Sequence, residues 1–142
     1  MNQKLIFLPL LAQILLTAWI SFRLAFTRVA EMRSKRIHPQ KIATTAGANQ
    51  QLSDSLRISD NFSNQFETPV AFYTLIIMIY ITNMANPTFV VLCSVFVALR
   101  YVHSFIHCGY NNVMHRFYVF VAGTVLLWLA WALFAIELIS DF

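Results

Sequence analysis

The stretch SDNFSNQFETPVAFY, residues 59–73, runs from a polar segment directly into a long apolar one. It carries Glu67 several positions past the point where hydrophobic residues take over. A carboxylate is expensive in lipid or in a dry core, so it belongs at a bundle interior, a cavity or a functional site. The residues on either side decide among these.

The chain of 142 residues is 58% hydrophobic and 11% charged, with 13 Phe, which leaves too little polar surface for a soluble domain of this length and predicts a polytopic membrane protein. Only three Gly and four Pro are present, and no segment alternates with period two, so a transmembrane barrel is excluded in favour of helices. Four apolar runs stand out, at about 5–26, 62–82, 88–110 and 117–139, each near the roughly 20 residues that cross the hydrocarbon. The first follows Lys4 but is too long, and too poor in small residues at its end, for a cleaved signal. The fold class expected is an all-α membrane protein, a single up-down four-helix bundle over residues 1–142, with no internal repeat and no separate soluble domain.

Charge orients it. Arg28, Arg33, Lys35, Arg36, Lys41 and Arg57 fall in the first link and Arg116 in the third, whereas Lys4, Glu137 and Asp141 lie on the other side. The positive-inside rule places links 27–60 and 111–116 in the cytoplasm and both termini opposite. The cluster Arg33–Arg36 is explained by topology, although anionic lipid would gain about 1 kcal/mol per charge there. Cys93 and Cys108 are fifteen positions apart on one helix, about 22 Å along its axis, so they cannot bridge each other within it and read as packing residues.

Two polar stripes are out of place. Asp60, Asn64 and Glu67 follow i, i+4, i+7 on the second helix, and Arg100, His103, His107 and Tyr110 follow i, i+3, i+7, i+10 on the third. Both lie at helix ends assigned to the cytoplasm, so they should meet. Two readings stay open. In one, Glu67 pairs with Arg100 or a histidine and only specifies packing. In the other, the stripes form an anionic-ligand site in which Arg100 and Arg116 supply charge while Asn64 and Glu67 hold polar or amino groups. His103 and His107 at i, i+4 suit a metal, but no HExxH motif is present and the third ligand would have to be His115, Cys108 or Glu67, so no metal is expected. A proton relay lacks a path across the membrane. Nothing points to nucleic acid.

The motif NQFETP, Asn64–Pro69, at the start of the second of four helices resembles the MAPEG family, the membrane-associated proteins of eicosanoid and glutathione metabolism. So does ALRYVHSFIHCGYNNVMHRF, Ala98–Phe117, which closes the third helix and enters the fourth. The resemblance covers essentially the whole chain and is of a bacterial type, which implies the inner membrane. It implies a left-handed bundle assembled as a homotrimer, with ligand clefts between protomers near the cytoplasm. It further implies glutathione as co-substrate, lipophilic molecules delivered from the bilayer, and a transferase or peroxidase-like activity. Asn64 and Glu67 match the helix-two motif and Arg100 the helix-three arginine, while Arg116 or Arg100, the two catalytic candidates, would stabilise the thiolate. Asp60, His103, His107 and Tyr110 complete the ligand-binding set. Two departures are visible. Glutathione-using members carry Arg one turn before the Asn, where this chain has Asp60, and they tend to carry Tyr on helix three, where it has His103 and His107. Both open the site to a ligand with an amine where glutathione offers a carboxylate. The family also contains non-catalytic lipid binders, so a trimeric module binding a lipid or amphiphile in the same cleft is the alternative.

Overall fold

Asn2 accepts from the Lys4 amide and caps a short 3-10 turn, Gln3–Ile6, that opens the first helix, α1 (Phe7–Ser34), in the computed structural model, which describes residues 2–140. Asp141 lies outside the described residues. The helix runs beyond position 26, where the sequence places the first link, because TRVAEMRS contains neither Gly nor Pro to stop it. It ends where Arg36 takes φ 50° and the Ile37 amide donates back to the Met32 carbonyl at 3.0 Å, a left-handed cap.

The first link is itself ordered. A 3-10 turn, Pro39–Ile42, leads to α2 (Thr45–Gln51), which Thr44 caps by accepting from the Gly47 amide, and then to α3 (Leu56–Ser63). Glu31 anchors this last helix. The Glu31 carboxylate, 3% exposed, accepts from the Asp54 amide at 2.9 Å and the Ser55 amide at 3.0 Å and is bridged by Lys35. That hydrogen bond, with the Asp54 carboxylate nearby, holds the Lys35 ammonium above the usual lysine range.

The expectation of one continuous second helix over 62–82 is corrected. After α3 the chain makes a 3-10 turn, Asn64–Phe66, breaks at Glu67 (φ −98°, ψ −102°), and restarts as α4 (Thr68–Ile81). Pro69 is the physical reason. It has no N–H to give the carbonyl four residues back, its ring would collide with that carbonyl, and it suits the first turn of a new helix. Helix α4 ends in a Schellman cap, with Asn83 at φ 61° and the Met84 amide donating to the Ile79 carbonyl at 3.0 Å. Helix α5 (Pro87–Cys108) starts on Asn86, whose side chain accepts from the Phe89 amide, and α6 (Val113–Ser140) starts on Asn112, which accepts from the Met114 and His115 amides. The α5–α6 turn requires Gly109, since a Cβ there would sit 2.7 Å from the Phe105 carbonyl oxygen.

Helices α5 and α6 form the closest pair, with α1 against α5, α3 and α4. The main core joins Phe72, Leu75, Ile76 and Ile79 of α4 to Phe89, Phe96 and Val97 of α5 and Leu127 and Phe134 of α6, with the Phe72 and Phe96 rings stacked at 4.8 Å. A second cluster sets Leu16, Ile20 and Leu24 of α1 on Ile58 of α3. Indole and phenol groups in the bundle find carbonyls, Tyr101 donating to Ala12 at 2.8 Å and Trp131 to Ala71 at 3.2 Å.

Among the described residues three helices are long and apolar enough to cross a membrane, Gln3–Ser34, Pro87–Cys108 and Val113–Ser140. The second apolar run is divided by the break, and its 14-residue α4 reaches only about 21 Å. Large apolar side chains such as Leu15, Phe26, Trp128 and Ile139 point outward from α1 and α6, the distribution of a protein whose solvent is lipid.

Candidate functional site

The break at Glu67 opens a cleft. Asp60 and Ser63 reach it from α3, Asn64 from the 3-10 turn and Glu67 from the break itself. His103 and His107, one turn apart on α5, form its floor, and Val113, Arg116, Phe117 and Phe120 of α6 its far wall. Its volume is about 500 Å³, within the range of small-molecule sites. The stripes therefore meet although the helix carrying one of them is not continuous.

The histidines are the most buried part of the lining, each 3% exposed. Nδ1 of His103 lies 3.3 Å from the Arg116 carbonyl oxygen, which ties α5 to α6 and fixes the tautomer. A carbonyl can only accept, so Nδ1 carries a proton, and when the ring is neutral Nε2 is the acceptor. That Nε2 and Nδ1 of His107 are buried without a protein partner. The two rings meet edge-on at 5.7 Å, and Phe120 packs on His103 at 5.8 Å. On the far wall, Arg116 spends one N–H on the Asn111 side chain at 3.0 Å, and Asn111 is itself held in the left-handed region at φ 50°. The remaining guanidinium donors are available to the cleft.

Arg100 and Tyr110 stand elsewhere. Arg100, 2% exposed, does not line the cleft. It turns to the helix break, donating to the Asn64 carbonyl at 2.7 Å and, at the limit of 3.5 Å, to the Thr68 hydroxyl. The Glu67–Arg100 ion pair that would have made the stripes purely architectural is not formed, and Lys35 makes both ion pairs found among the described residues. Tyr110 is exposed and bonds His115 Nδ1 at 3.1 Å. Among the described residues no group of three or more His, Cys, Asp or Glu is placed to hold a metal ion.

Sequence reasoning missed a buried amide network directly behind the cleft. Gln13 of α1 donates to Gln65 at 3.0 Å, Gln65 to the Asn61 carbonyl at 3.1 Å, and Ser104 of α5 to the Asn61 side chain at 3.3 Å. Asn61 in turn donates to the Cys108 sulfur at 3.3 Å. All four polar residues are at most 1% exposed. Two signals were available. Gln13 is a long amide inside an uncharged span, and Asn61 and Gln65 are the neighbours, one position on, of Asp60 and Asn64. The opening stretch thus has two polar rows, one facing the cleft and one facing the bundle.

Comparison with curated proteins and with solved structures finds no match. The family model for the MAPEG family matches residues 6–136, nearly the whole chain. Together with its outward apolar helices, this match establishes the chain as an integral membrane protein belonging to the MAPEG family.

Proposed function

We propose that the protein is a glutathione-dependent transferase or peroxidase-like enzyme acting on lipophilic electrophiles, with the α3–α5–α6 cleft as its site. The observation that carries this reading is the composition of the cleft. Acceptors on the α3 side face a guanidinium on the α6 side, and apolar side chains, Val113, Phe117 and Phe120, flank the cation. A thiol peptide needs such a polar cradle, and its electrophilic partner needs the apolar edge.

In this mechanism Arg116 stabilises the thiolate, lowering the thiol's pKa as any cation beside an anion does. The thiol proton leaves to solvent, and the sulfur lone pair forms a C–S bond while the electrophile's leaving group departs or its carbanion is protonated. Binding both reactants at one cleft supplies the rest of the acceleration. Arg100 acts at a distance by holding the break that aims Glu67. Membership in the family supports four crossings, the one containing the break delivered in two pieces, and assembly as a homotrimer. The basic link supports a cytoplasmic-side cleft, and a bacterial-type member would lie in the inner membrane.

Titration calorimetry with glutathione in detergent, together with ultraviolet absorbance of the thiolate, tests the reading. The expected result is saturable heat with a thiolate band that Arg116→Ala removes. Absence of both signals in the wild type refutes it. The second reading, non-catalytic binding of a lipid or amphiphile, is favoured by an almost wholly apolar groove of about 400 Å³ between α1, Phe62, Phe66 and Tyr73. It predicts lipid retention through purification with no thiolate signal.

A further inference from the structure

The basic run at the end of α1 is not used uniformly. Lys35 turns to the protein, bonding Glu31, Ser53 at 2.9 Å and Asp54 at 3.5 Å. Its neighbours Arg33 and Arg36 are exposed, and neither is in an ion pair among the described residues. Both line a separate cavity of about 310 Å³, walled by Val29, Met32, Ile37 and Pro39, with no carboxylate in its lining. The backbone brings the pair together. At Arg36 the chain turns through φ 50°, and the Ile37 amide closes the cap on the Met32 carbonyl at 3.0 Å. That position of a helix cap ordinarily takes Gly or Asn, because other side chains are strained there. An arginine kept at a strained, exposed position with no ion-pair partner points to a partner outside the chain. Topology requires only cations in the link, not two of them at one cavity.

The surrounding surface identifies the class of that partner. Leu15, Phe22, Phe26 and Val29 are exposed and fall on the helix face that carries Arg33. An apolar ridge therefore runs along α1 and ends at the two guanidinium groups. The 28 residues of α1 cover about 42 Å, the thickness of the hydrocarbon with its headgroup layers, so its last turn lies at headgroup depth. We propose that Arg33 and Arg36 hold the phosphodiester of an anionic glycerophospholipid, with an acyl chain lying along Phe22, Phe26 and Val29. Guanidinium groups suit this ligand because each donates in a fork to two phosphate oxygens. A zwitterionic lipid would bring its own cation beside two arginines, with no acid in the cavity to receive it. The site is separate from the α3–α5–α6 cleft and stands whether or not that cleft binds glutathione.

The test is native mass spectrometry of the full chain, released from neutral detergent with equimolar phosphatidylglycerol and phosphatidylcholine of identical acyl chains. One phosphatidylglycerol per chain should be retained, in preference to phosphatidylcholine by about tenfold or more. Arg33→Gln with Arg36→Gln should abolish the preference. Lys41→Gln removes a cation of the same link that does not line the cavity and should leave the preference in place. The double variant keeps Arg28, Lys35, Lys41 and Arg57 to fix its orientation, and both altered side chains are exposed, so it is expected to insert and fold. An unchanged helical circular dichroism signal verifies this. Arg36→Asn gives a second check, since Asn suits the cap: the lipid-free melting temperature should hold or rise while the preference falls. No preference in the wild type, a preference that survives the double substitution, or an equal loss from Lys41→Gln overturns the proposal, the last by showing diffuse attraction in place of a site. A lowered lipid-free melting temperature in Arg36→Asn with the preference intact does the same, because the arginine then serves the fold. Glycerol phosphate, added as a competitor, separates the sources. Displacement of the lipid at equal concentration would identify a soluble phosphate as the ligand and overturn the lipid assignment.

Discussion

Glu31→Ala removes the carboxylate on which α3 is hung, and the structure allows its cost to be worked out group by group. The Ser55 amide, donating at 3.0 Å from a residue 1% exposed, would be left without an acceptor, at about 1–3 kcal/mol. The Asp54 amide belongs to an exposed residue and can turn to water, so it adds less. Loss of a negative group at the start of a helix adds about 0.5 kcal/mol. The sum is about 2–4 kcal/mol, a large part of an ordinary folding stability of roughly 5–15 kcal/mol. The loss should be local first. Helix α3 has eight residues, too few to persist alone, and depends on Glu31 at one end and on Ile58 against α1 along its side. Hydrogen exchange in nanodiscs should therefore show α3 amides deprotected while those of α5 and α6 are unchanged, with thermal unfolding lowered. Because α3 carries Asp60 and Ser63 of the cleft, ligand binding there should fall with it. Lys35→Met is the control, since Lys35 is partly exposed and bridges the same carboxylate. It should change little, because the backbone amides keep their acceptor. Equal damage from Lys35→Met and Glu31→Ala would refute the reasoning, showing that the ion pair and not the amide cap holds the helix.

Three further substitutions test neighbouring parts of the structure. Gln13→Leu leaves Gln65 facing an apolar chain and should cost about 1–3 kcal/mol in thermal stability, while adding Gln65→Leu should recover part of that loss rather than double it, a coupling that a double-mutant cycle reads directly. Arg100→Met withdraws the donor at 2.7 Å from the Asn64 carbonyl and should raise exchange at 64–68, lowering kcat/KM and stability together; an intact break with lost turnover would instead place Arg100 in the chemistry. Gly109→Ala drives a methyl to 2.7 Å from the Phe105 carbonyl oxygen and should destabilise the α5–α6 turn by about 1–3 kcal/mol, seen as a lower melting temperature.

The helical class and the meeting of two stripes were legible because both rest on periodicity and on the cost of charge in lipid. Asp60, Asn64, Glu67, His103, His107 and Arg116 share one cleft, as facing polar rows at one depth require. The form of the second helix was less legible, because the spacing i, i+4, i+7 looks the same whether or not a proline two positions beyond its last member breaks the ladder. Pro69 was visible, yet the form of the break depends on what takes the Asn64 carbonyl beside it, and that donor is Arg100, thirty-six positions away in the chain. A residue that by charge alone looked like ligand-binding equipment is thereby committed to the backbone. The same long-range logic hid Asn61 and Gln65, whose partners Gln13 and Ser104 lie on other helices. These placements have one consequence for function. With Arg100 turned to the break and Asn61 and Gln65 turned to the bundle, the polarity left to the cleft is Asp60, Ser63, Asn64, Glu67 and two histidines against a single arginine, Arg116. The role of Arg100 belongs to the fold as much as to its charge, because its guanidinium is taken up by the Asn64 carbonyl beside the break.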